Sequence, residues 1–107
     1  MAKLKEIHLI PEEDVFEGMK QSFDINGERL LLIKSNGNIF VIENSCGHFG
    51  ESLNNARVEG KEITCNHHYV KFSLVDGSVK NNVVESCDKL KIHNWKIENQ
   101  TIIALIS

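Results

Sequence analysis

No apolar run in this chain approaches the 18 or so residues needed to cross a bilayer. The first eleven residues carry Lys3 and Lys5 instead of the apolar core of a signal segment. The expectation is a soluble, cytoplasmic protein. Lys/Arg-rich runs are also missing, and the formal net charge is -3, which argues against nucleic acid or an anionic membrane as the main partner. Repeats and low-complexity tracts are absent. No apolar pattern keeps a helical period beyond a turn or two, which argues against a helical bundle. Cysteine is sparse, with only Cys46, Cys65 and Cys87. In a reducing compartment such residues persist as thiols or metal ligands, so a disulfide framework is not expected. The 107 residues, 41% hydrophobic and 25% charged, have the size and composition of one globular domain spanning residues 1–107. That leaves no room for a flavin- or substrate-binding domain, and points to a component of a larger system and not a complete multistep enzyme.

What the chain does have is a series of short apolar stretches punctuated by Gly and Asn. Residues 4–9 alternate apolar and polar like an edge strand. Pro11 and the acids after it permit one helical turn, with proline at its start and acids near the positive end. Residues 20–25, 29–34 and 38–43 are separated by Asn26-Gly27 and Asn36-Gly37, dipeptides that tolerate the positive φ of tight hairpin turns. Arg57-Val58 and 62–64 form another expected hairpin, and Asp76-Gly77-Ser78 marks a third between Phe72/Leu74 and Val79. Residues 80–89 read as a surface loop. Residues 90–97 and 101–106, around Glu98-Asn99-Gln100, close the chain as a last hairpin. The fold class is therefore all-β, a small antiparallel sandwich or barrel. The expected core comprises Leu30, Leu32, Ile39, Val41, Ile92, Trp95, Ile97, Ile103 and Leu105. His8 and His93 fall in strands and are read as structural, Cys87 as a small packed residue. The Asn99-Gln100-Thr101 sequon carries no meaning without secretion.

Function concentrates in two short pairs, Cys46-Gly47-His48 and Cys65-Asn66-His67-His68. Each leaves the end of an expected strand and offers one thiolate and one imidazole. Two soft sulfur and two nitrogen donors suit iron-sulfur or zinc chemistry. A [2Fe-2S] centre in which two His replace two Cys on one iron needs one Cys and one His from each of two loops, which this spacing supplies. Cys46 and Cys65 would then bind one iron, and His48 and His68 the other. Two neutral imidazoles in place of thiolates remove negative charge and make an electron easier to accept.

With these residues in view, the chain resembles the Rieske iron-sulfur family over most of its length. Cys46 to Leu53 is similar to the family's first ligand loop, with Gly50 and Leu53 where the family usually has Gly and Leu. Cys65 to His68, Phe72 and Asp76-Gly77 are similar to the second loop and the hairpin after it. Phe16-Glu17-Gly18 and the stretch from Gly37 to Asn44 are similar to the approach to the first loop. The resemblance implies a small antiparallel β fold with two cluster-binding loops and one [2Fe-2S] cluster per chain. It also implies His68 and not His67 as ligand, which leaves His67 on the loop surface.

The departures from the family pattern narrow the expectation. Rieske subunits of cytochrome bc and b6f complexes carry a disulfide between the two loops, where this chain has Glu51 and His67. They also place Ser and Tyr, donors of hydrogen bonds to sulfur, where this chain has Val70 and Phe72. Without those donors the potential should lie near the low end for Rieske centres, on the order of -150 mV. Tyr69 stands where glycine is common, and would either shield the cluster or shape the partner surface. The implied role is that of a monomeric ferredoxin passing single electrons from a flavin-containing reductase to a terminal oxygenase, with no catalytic residues of its own. Two alternatives stand beside it: the small Rieske-like subunit of an assimilatory nitrite reductase, and a structural zinc module that mediates protein contacts.

Overall fold

The structure, a computed structural model, describes residues 5–45, 52–65, 69–81 and 89–106. Among the described residues nine strands and one 3₁₀ turn occur in the order β1 (Lys5–Pro11), the turn Glu12–Asp14, β2 (Lys20–Ile25), β3 (Glu28–Ser35), β4 (Asn38–Glu43), β5 (Arg57–Glu59), β6 (Glu62–Thr64), β7 (Lys71–Ser73), β8 (Ile92–Glu98) and β9 (Thr101–Ile106). All pairings are antiparallel. They form a six-stranded sheet, β1-β9-β8-β4-β3-β2, and a three-stranded sheet, β5-β6-β7. The all-β expectation holds.

The hairpins form where the turn chemistry placed them. Ile25 pairs with Glu28 and Ser35 with Asn38, so each connection is a two-residue loop. Asn26 and Gly27 (φ 52° and 80°) and Asn36 and Gly37 (φ 52° and 79°) all adopt positive φ, as type I′ turns require. The exposed Glu17 carboxylate accepts hydrogen bonds from the amides of Gly37 (2.8 Å) and Asn36 (2.7 Å), which hold its pKa below the ordinary value. The last hairpin departs slightly from expectation. Glu98 pairs with Thr101 as part of β8, so only Asn99 and Gln100 turn, at φ 51° and 64°.

The edge strands β1 and β2 both pack on one apolar cluster. It contains Ile7, Leu30, Leu32, Val41, Ile102, Ala104 and Ile106, with Phe23, Ile25 and Trp95 against it. Two strands at opposite edges can share a core only if the sheet curls. A Lys5–Glu28 ion pair at 3.6 Å spans the fold between β1 and β3. A second cluster lies on the other face of β3 and β4. Leu31, Ile33 and Ile42 there meet Leu53, Ala56, Ile63, Cys65, Val70, Phe72, Leu74 and Leu90. The small sheet is thus seated on the outer face of the large one.

This two-sided burial corrects the expected core. Leu30, Leu31, Leu32 and Ile33 are all at most 1% exposed, so β3 packs on both faces and not one. In β9, Ile102, Ala104 and Ile106 enter the core cluster; Ile103 is also buried, but Leu105 is only partly so. Ile97 is 42% exposed and belongs to no core. Ile39, Ile92 and Trp95 are partly buried and pack against the clusters.

Candidate metal centre

Of the four expected ligands, Cys65 lies among the described residues; Cys46, His48 and His68 lie outside them, as do Glu51, His67 and Cys87. The expected 80–89 loop falls mostly outside as well. What the structure describes is the frame that brackets the ligand positions.

Cys65 follows β6 directly and is fully buried, in one cluster with Leu53, Ile63, Val70 and Phe72. Its backbone makes the neck of the second loop: the Cys65 amide donates to Val70 O (2.9 Å), and the Tyr69 amide donates to Cys65 O (2.8 Å). Residues 65 and 70 are thereby held together across the segment that carries His68. Tyr69 adopts φ 57°, which explains why this position favours glycine: the left-handed region costs a bulky residue about 1–3 kcal/mol. The ring is 68% exposed. The strained conformation is held from both sides, because Asn81 Nδ2 donates to Tyr69 O at 3.0 Å while Asn81 Oδ1 accepts the Lys71 amide at 3.0 Å.

The first loop is bracketed in a comparable way. Asn44 directly follows β4, the strand that leads into it, and is 5% exposed. Its own amide donates to Arg29 O (2.8 Å) on β3. Its side-chain Oδ1 accepts the Leu53 amide and its Nδ2 donates to Asn54 Oδ1, both at 2.7 Å. Leu53 is fully buried against the same core as Cys65. Beyond it, Lys20 on β2 donates from Nζ to Ala56 O, and partial burial holds its ammonium below the ordinary lysine value. These bonds fasten residues 53–56, just past the first loop, to both β4 and β2.

Neither Asn44 nor Asn81 stood out in the sequence: Asn44 opened the first ligand loop, and Asn81 fell within the 80–89 loop. A polar residue two positions ahead of a Cys-x-His pair, at a strand end, is the signal that could have singled out Asn44. Val70 and Phe72, expected near the ligands, are both fully buried beside Cys65. His93 is buried on β8 opposite Val41, whereas His8 is exposed on β1.

A buried cysteine at a strand end, with its loop neck closed by backbone bonds, fits a ligand to a sulfur-rich metal group. The donor types supplied by the sequence, two Cys and two His in two loops, fit a [2Fe-2S] cluster. Comparisons with known proteins agree. The family model for the Rieske [2Fe-2S] domain matches residues 5–100. The ferredoxin component of the naphthalene 1,2-dioxygenase system of Pseudomonas putida is 27% identical over 104 residues, covering 97% of this chain and 98% of the relative. The ferredoxin component of the naphthalene 1,2-dioxygenase/salicylate 5-hydroxylase systems of Ralstonia sp is 28% identical over 91 residues, 85% of this chain and 86% of the relative. Among solved structures, the ferredoxin of carbazole 1,9a-dioxygenase from Nocardioides aromaticivorans IC177 superposes with a TM-score of 0.81 at 15% identity, covering 95% of this chain and 98% of the other. The Sphingomonas yanoikuyae B1 ferredoxin gives 0.81 at 20% identity, over 96% and 100%. With residues 5–100 matched by the family model, this chain belongs to the Rieske [2Fe-2S] domain family.

Proposed function

We propose that this chain is a low-potential Rieske ferredoxin that carries single electrons from a flavin-containing reductase to a terminal oxygenase. The observation that carries this reading is the end-to-end match with dioxygenase ferredoxin components, 97% of this chain and 98% of the Pseudomonas putida relative. Bound between the two loops, a [2Fe-2S] cluster supplies reversible one-electron storage. Cys46 and Cys65 would hold one iron, His48 and His68 the other. The described residues serve that chemistry by restraint: β6 delivers Cys65 into a dry core, and the loop necks are closed by Val70, Tyr69 and Leu53. A site held in one geometry in both redox states lowers the rearrangement that accompanies each transfer. The chain would act as a single domain and as a cytoplasmic monomer. A radius of gyration of 13.5 Å supports the single domain, since about 13 Å is usual for one compact domain of this length. No helix among the described residues is long and apolar enough to cross a membrane. The structural zinc module has no support from the family match, and no observation favours the nitrite reductase subunit.

The test is direct. The purified protein is reduced anaerobically and mixed with the terminal oxygenase of a naphthalene 1,2-dioxygenase system, and its visible absorption is followed. Return of the oxidised spectrum in step with oxygenase reduction is the expected result; a colourless protein holding one zinc and no labile sulfide would refute the reading. For the ligands, His68→Cys or His48→Cys should lower the potential or abolish the cluster. An unchanged spectrum and potential would mean the wrong histidine had been assigned.

A further inference from the structure

The two asparagines that bracket the ligand loops share a geometry that strand formation does not explain. A carboxamide both accepts and donates from one planar group, and each of these uses both functions at the end of a ligand segment, Asn81 on two backbone groups and Asn44 on one backbone amide and one side chain. Asn44 is tied to β3 through its amide and reaches across nine residues to the Leu53 amide and the Asn54 side chain. Between those anchor points lie Cys46 and His48. Asn81 reaches back to the Tyr69 carbonyl and the Lys71 amide, just past His68. Tyr69 is also the residue whose backbone stands in the left-handed region. In both loops a side chain from outside the segment fixes the exit of the ligand-bearing stretch.

We infer that Asn44 and Asn81 are positioning residues for the cluster, one for each ligand loop, acting through loop ends and touching no iron. This rests on the proposed cluster assignment. Removing such a restraint leaves the ligands in place but lets the loop open, so cluster loss should accelerate before the fold weakens. Residues that orient metal ligands without touching the metal typically contribute about 10- to 100-fold to metal affinity or activity.

The experiment uses the oxidised and reduced holoprotein with Asn81→Ala, Asn44→Leu and Asn44→Asp. Three readouts are followed: loss of visible absorption in excess EDTA, the EPR spectrum after dithionite reduction, and amide exchange at Leu31 and Leu32. Asn81→Ala is expected to lose its cluster about tenfold faster than wild type, with an altered EPR line shape and unchanged exchange at Leu31 and Leu32. Asn44→Leu should behave likewise. Asn44→Asp keeps the acceptor for the Leu53 amide and should fall between it and wild type; should Asn44→Leu fail to fold, Asn44→Asp and Asn81→Ala decide. Loss rates and spectra matching wild type in those two variants would overturn the inference, as would faster loss that only tracks faster core exchange. Wild-type protein without iron and sulfide would overturn the cluster assignment itself, a distinguishable failure.

Discussion

Val70 and Phe72 define the local environment of Cys65. Both are fully buried with it in one cluster, and neither side chain can donate a hydrogen bond to sulfur. Donors near the cluster stabilise its reduced, more negative state, and a polar side chain at position 70 would sit in the same dry core. Val70→Ser should therefore raise the midpoint potential. A net hydrogen bond of about 1 kcal/mol corresponds to roughly 40–50 mV for a one-electron couple, on the scale where 59 mV is tenfold. Protein film voltammetry reads this directly, and an unchanged midpoint would mean that position 70 does not reach the sulfur atoms. The variant should also lose about 1–2 kcal/mol of stability, since a buried apolar side chain is replaced by a smaller polar one.

At the scale of elements, the short hairpin after β7 shows how tightly the small sheet is fixed. Gly77 adopts φ 79°, and a Cβ there would stand 2.0 Å from the Leu90 carbonyl oxygen; the Leu90 amide in turn donates to Gly77 O. Gly77→Ala should destabilise the protein by well over about 1 kcal/mol, measured by denaturant unfolding, because backbone and not a flexible side chain must move. On β8, burial is the main reason that the His93 imidazole sits below its ordinary pKa of 6.5, with Lys91 adding to the effect and Glu43 and Glu28 opposing it. The unfolded chain then binds that proton more tightly than the folded one, so stability holds above pH 6.5 and declines below it. His93→Gln should flatten that decline when unfolding is compared at pH 7.5 and 5; equal slopes for variant and wild type would contradict it. The hairpins were legible in the sequence because Asn26-Gly27 and Asn36-Gly37 demand positive φ, and β2 to β4 lie within a residue of where those turns placed them. The burial phase was not. Leu30 to Ile33 is a continuous apolar run, and period-2 reasoning must choose one face of a strand that in fact packs on both. Cys-x-His and Cys-x2-His offered candidate ligands at sight, but the Asn44 and Asn81 clasps were not legible, because their partners are mainly backbone groups up to 12 residues away.

For the whole molecule, the two cores divide the labour. One fills the curled six-stranded sheet, and the other seats the three-stranded sheet and Cys65 on its outer face. The ligand loops are therefore held by a platform whose own stability comes from strands that bear none of the expected ligands. This arrangement suits a carrier that cycles one electron with little structural change, and the missing donors at positions 70 and 72 predict a potential near the low end for Rieske centres. A redox titration of the purified protein, followed by visible absorption, tests this most directly. A single one-electron couple with a midpoint on the order of -150 mV is expected; a midpoint several hundred millivolts more positive, or no redox-active absorption at all, would contradict it.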